Sequence, residues 1–158
     1  MILPGETTLL VLDTTESART RLPGHDEDDI LHLIESGGIA FAWDISAADS
    51  DSDRHIREIR IYPPCVEHYL QCGGHRPFPR FDHQVITHLV NIVAEGKPFT
   101  TAEKFSLLLN CGTELIYRLI AQNRVRVLPN TTWRRGRGGS ALLDAHSLKK
   151  FFGDARVI

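Results

Sequence analysis

Residues 131–144 read TTWRRGRGGSALLD, three arginines and three glycines in one short run between two apolar, β-like stretches. Arginine presents a planar fork of donors that matches phosphate. Glycine lets backbone come close to a partner. Arg134, Arg135 and Arg137, interleaved with Gly136, Gly138 and Gly139, therefore carry the chemistry of an anion-binding loop. A solvated turn is the other reading of the same residues, and the surrounding elements must decide between them.

A second cluster, CVEHYLQCGGH, places Cys65, His68, Cys72 and His75 within eleven residues. Thiolate and imidazole are zinc ligands, and on a helix positions 65, 68 and 72 share a face. Structural zinc usually joins two separated ligand pairs. This cluster is too local for that, so surface residues and no metal are the expectation. His83 and His88 are five apart, which separates them around a helix axis. No Ser, His and Asp set and no carboxylate pair can be assembled, and there is no P-loop or GxGxxG. GRGG lacks the strand-to-helix setting that phosphate-cradling loops need. The sequence thus points away from an enzyme and names no cofactor.

The whole chain has 158 residues, 42% hydrophobic and 24% charged, a globular composition sufficient for one ordinary or two small domains. No apolar run reaches the roughly 18 residues that span a bilayer. The start, MILPGETTLLVLD, lacks the basic opening and cleavage site of a signal peptide. Three cysteines are too few for a disulfide framework. The expectation is a soluble, cytoplasmic protein with no membrane partner. Net charge is −2, but residues 1–80 hold 7 Lys and Arg against 14 Asp and Glu, while residues 81–158 hold 11 against 6. One half is suited to face a polyanion and the other is not.

The elements that position these residues occur twice. TTESARTRLPGHDEDDILHLIESGGIAFAWD, from Thr14, and TTAEKFSLLLNCGTELIYRLIAQNRVRVLP, from Thr100, align at an offset of 86. Ile30, Leu33 and Ile34 meet Ile116, Leu119 and Ile120, and Ile39 and Phe41 meet Val125 and Val127. Past the loops the offset is 82, with IRIYPPCVEHYL over ALLDAHSLKKFF. The unit reads helix, short turn, helix, strand, loop, strand, helix. In the second copy, Thr100 with Glu103 has capping-box spacing, and Thr113 can cap the next helix. Leu115, Ile116, Leu119 and Ile120 form that helix's apolar face, leaving Glu114, Tyr117, Arg118, Ala121 and Gln122 outward. VRVL (125–128) alternates as a strand and SALLD (140–144) is its antiparallel partner. DHQVITHLVNIVAEG (82–96) reads as an extra helix that Asp82 can cap. The Gly- and Pro-rich CGGHRPFPRFD (72–82) is the candidate boundary.

This order, and the wording TTAEKFSLLLNCGTELIYRLIAQNRVRV…GRGGSALLDAHSLKKFF, resembles the excisionase-type winged helix-turn-helix domains of the MerR-like superfamily over residues 99–152. One departure is Asn123, where such domains often carry Gly, though Asn also tolerates the left-handed conformation. The resemblance implies an α+β, mainly helical fold of tandem winged helix-turn-helix units with small antiparallel β-hairpin wings. It implies a sequence-specific double-stranded DNA-binding protein of bacterial or phage origin, a transcriptional regulator or a recombination directionality factor. Thr113, Glu114, Tyr117, Arg118 and Gln122 would then lie on the recognition helix, where Arg118 suits guanine and Glu114 suits cytosine. Arg134, Arg135 and Arg137 would form the wing, and Lys104, Arg124 and Arg126 would contact phosphate. A homodimer or oligomer on DNA is expected, since a module this small needs a second half-site.

The first copy carries HDEDD (25–29) at the start of the matching helix and SAADSDSD (46–53) as its wing. Carboxylates there repel phosphate, so residues 1–75 are expected to dimerise or dock a protein. Residues 76–98 form a linker and extra helix, and 99–158 the DNA-binding unit. Ile39, Phe41, Trp43 and Ile45 share one strand face, expected to be core. The rival reading is a protein-interaction adaptor whose basic wing meets an acidic partner, its own acidic half included.

Overall fold

The computed structural model describes residues 10–46, 58–73, 76–128 and 141–157. The fold is α+β and mainly helical, with small antiparallel sheets. It divides into two units, one of residues 12–82 with 154–157 and the other of residues 83–153 with 10–11. Among the described residues no helix is long and apolar enough to cross a membrane.

The first unit runs β1 (Asp13–Thr14), α1 (Thr15–Arg21), α2 (Glu27–Glu35), β2 (Ala42–Asp44), β3 (Ile59–Ile61) and α3 (Pro63–Cys72). Its sheet is antiparallel in the order β1-β3-β2, with Trp43 opposite Arg60. Local chemistry sets the helix ends. Thr14 Oγ1 accepts from the Ser17 amide at 3.0 Å to start α1. Asp26 and Asp29 start α2 with a reciprocal capping box, each carboxylate accepting from the other's amide at 2.8 and 3.0 Å. Prolines fill the first turn of α3, where a missing N–H costs nothing. Ile39, Phe41, Trp43 and Ile45 are buried, as expected, and Ala42 between them is buried too.

The Gly- and Pro-rich stretch is no free linker. Phe78 packs edge-on against Phe41, Tyr62 and His68, with ring centroids 5.7, 6.0 and 5.6 Å away. Arg80 donates to the Tyr62 hydroxyl at 3.4 Å. The division falls beside Asp82, at the end of that stretch. The C-terminal tail also returns to this unit: Arg156 bridges Trp43 in antiparallel fashion, and the Val157 amide donates to the Ala42 carbonyl at 2.9 Å. Arg156 ion-pairs with Asp82 and holds its guanidinium 4.6 Å from the Phe41 ring centroid.

The second unit takes up α4 (Asp82–Ala94) from His83, then β4 (Phe99–Thr101), α5 (Ala102–Leu108), α6 (Thr113–Ala121), β5 (Leu142–Asp144) and α7 (Ala145–Ala155) as far as Gly153. The expected capping by Thr100 is corrected by one residue. Thr101 caps α5, accepting from the Lys104 amide at 3.2 Å, while the buried Thr100 donates to the Val93 carbonyl at 2.6 Å and so closes the end of α4. The expected cap at Thr113 also moves: Gly112, in extended backbone, is the N-cap without a side-chain bond, and Thr113 is the first helical residue. β5 pairs with β4 on one side. On its other side Val127 bridges Leu143, the Leu128 amide donates to Leu142 and the Asp144 amide donates to Arg126.

The two units repeat the same backbone pattern. α2 and α6 have bounds 86 residues apart, and α3 and α7 begin 82 apart. Each unit turns through left-handed backbone at equivalent places, Gly24 and Asn110, then Gly37 and Asn123, with φ of 84° and 52°, then 85° and 60°. The Ile39 amide donates to the Leu33 carbonyl, and the Val125 amide to that of Leu119. β3 lies between β1 and β2, and β5 lies between β4 and the bridged segment 126–128.

Candidate nucleic-acid interface

α6 places the polar residues singled out above. Leu115, Ile116 and Leu119 are buried, which turns the opposite face of the nine-residue helix outward. Glu114, Arg118 and Gln122 are exposed along one stripe at successive i, i+4 positions, while Thr113 and Tyr117 are half-buried at its edge. Ile120, expected in the apolar face, is half-buried. A four-residue connection, 109–112, joins α5 to α6, a length typical of helix-turn-helix pairs.

The cations flanking this helix differ in their settings. Lys104, on α5, lies 3.4 Å from Glu95, and both are well exposed. Such a pair contributes about 0–1 kcal/mol, so phosphate can replace the carboxylate at little cost. Arg124 follows α6 and is half-buried, its guanidinium 5.1 Å from the Phe151 ring centroid on α7. The aromatic face holds the cation in place while leaving its edge donors directional. Arg126 is exposed, and its amide donates to Ser147 Oγ at 3.0 Å. Phe151, Ser147 and Glu95 gave no sequence signal of these roles, since each meets its partner only through tertiary packing. Arg134, Arg135 and Arg137 lie outside the described residues.

The matching face of the first unit has opposite chemistry. At the offset of 86, Thr113, Glu114, Tyr117, Arg118 and Gln122 correspond to Glu27, Asp28, Leu31, His32 and Ser36. Glu27, Asp28 and Asp29 fill the first turn of α2, where they favour the helix through its dipole. Together with the Asp26 cap they give HDEDD a clear structural task. The matching wing, apart from Ser46, lies outside the described residues.

The Cys and His cluster does not assemble. Cys65, expected at the surface, is buried at 1% exposure because it faces Ala40 and Phe41, the residues leading into β2. Burial pushes its thiol up to about 12, against smaller opposing effects of the Phe41 and Ala40 backbone and of Arg156. His68 Nε2 lies 2.9 Å from the Arg76 carbonyl, and His75 lies outside the described residues. Among the described residues, no group of three His, Cys, Asp or Glu side chains converges to hold a metal.

No protein-family model matches this sequence, and neither does any curated protein or solved structure.

Proposed function

We propose that the chain is a sequence-specific double-stranded DNA-binding protein built from two winged helix-turn-helix units, with residues 83–153 making the contact. One observation carries this reading: the outward stripe of α6 is polar and holds an exposed arginine, directly after a short helix–helix connection. A recognition helix in the major groove needs that display, because base edges offer hydrogen-bond groups to side chains near its N-terminal end. The resemblance to excisionase-type domains and the net positive charge of residues 81–158 support the same reading. The acidic counterpart on α2 supports a division of labour in which the first unit meets a protein or a second copy. Regulation of transcription or of site-specific recombination is the process such a protein serves.

The test is selection of bound duplexes from a random pool by the full chain, followed by Arg118→Ala. A defined motif should emerge, and the variant should relax preference at one position, weakening the best site by roughly 1–3 kcal/mol. Enrichment of no motif, or unchanged preference in the variant, overturns the assignment of α6.

A further inference from the structure

The second unit carries further basic side chains along α7. Its inward residues Leu148, Phe151 and Phe152 are buried, and His146, Lys149 and Lys150 are exposed on the opposite side. Two separate contacts bind the segment after α6 along this helix. Arg124 stacks over Phe151, and the Arg126 amide is fixed to Ser147 one turn earlier. One turn is about 5.4 Å. On a helical projection Lys150 adjoins Ser147, His146 lies next, and Lys149 beyond it. The nearby carboxylates are Asp144, whose Oδ1 accepts from the His146 amide at 3.3 Å, and the exposed Asp154, one turn after Lys150 on the same face. Neither lysine has an ion-pair partner among the described residues.

From this geometry we infer that Lys149 and Lys150, with His146 beside them, extend Arg124 and Arg126 into a ridge that follows the phosphate backbone of duplex DNA. The inference rests on the DNA-binding reading above and deepens it. Phosphate is the matching partner because the ridge combines point charges on flexible stems with a stacked, oriented guanidinium. No base-reading group is needed there, so the ridge contributes affinity and register rather than sequence preference. The sequence pattern alone gives these lysines only the look of a solvated helix face.

The experiment uses the full chain with Lys149→Ala and Lys150→Ala combined, binding its selected duplex and a scrambled duplex across a salt series. Both affinities should fall by the same factor, with the log–log salt slope reduced by about 1.8, or 0.9 for each phosphate contact. Circular dichroism should show an unchanged fold, since both side chains are exposed. If the parent binds and the double variant keeps its slope, the ridge is overturned while the role of α6 stands. Loss on the selected duplex alone also overturns it, because that marks a base contact. If the parent binds neither duplex, the DNA-binding reading fails and the ridge with it.

Discussion

At the scale of single residues, the left-handed positions are the most informative. Asn123 takes φ of 60° where its counterpart is Gly37 at 85°. L side chains pay about 1–2 kcal/mol in this region, and Asn pays less than most. Asn123→Gly should therefore leave the unfolding free energy in urea unchanged or raise it slightly, while Asn123→Ala should lower it by roughly 1 kcal/mol. Cys65 gives a second prediction at this scale. Its folded pKa is raised from the usual 9 to about 12 by burial. Its neutral form is thus the one the fold favours. The contribution to stability is present below the ordinary value and is lost as pH rises toward 12. At pH 8.5 an alkylating reagent should modify Cys72 and Cys111 and reach Cys65 only in denaturant. Rapid reaction of three thiols in the folded protein would contradict the burial. The sequence pattern placed Cys65 outward because it counted helix positions without knowing that Ala40 and Phe41 would cover that face.

At the scale of elements, periodicity was legible and helix termini less so. The apolar stripes of α2, α6 and α7 and the run from Ile39 to Ile45 appear where their spacing puts them. The caps shifted because a side chain takes its best partner in three dimensions. Thr100 is drawn to the Val93 carbonyl, one of the acceptors that the end of α4 leaves unpaired. Thr101 then inherits the cap. Thr100→Val keeps the volume and removes this bond, leaving a buried carbonyl unsatisfied at a cost of roughly 1–3 kcal/mol. Thermal melting should show the loss, and Thr100→Ser should recover much of it. An unchanged melting temperature in the valine variant would show that the bond contributes nothing. β1 and β4 are two and three residues long and carry no alternation to read, and only their pairing to β3 and β5 makes them strands.

At the scale of the whole molecule, the two-copy pattern was readable, and the division between units falls at Asp82, the last residue of the Gly- and Pro-rich stretch 72–82. The offset of 86 recovered the bounds of α2 and α6 because an amphipathic helix leaves the same imprint wherever it occurs. The tail from Asp154 carries no periodic signal, yet Arg156 ties it to Asp82, Phe41 and the Ala40 carbonyl, the last at 3.4 Å. Arg156→Ala removes all of these and should lower stability against urea by roughly 1–2 kcal/mol. Charge completes the account at this scale. The acidic first unit and the basic second unit share an element order and differ in the side chains displayed on it, so the proposed contact with DNA belongs to the second.

The most direct measurement of that claim is the affinity of the full chain for a random duplex pool over a series of salt concentrations, beside a variant with Arg134→Ala, Arg135→Ala and Arg137→Ala combined. The parent should bind, and the variant should bind more weakly with a log–log slope reduced by up to about 2.7, or 0.9 for each lost phosphate contact. A parent chain that leaves the pool unbound at low salt, or a variant with the parent's slope, would contradict it.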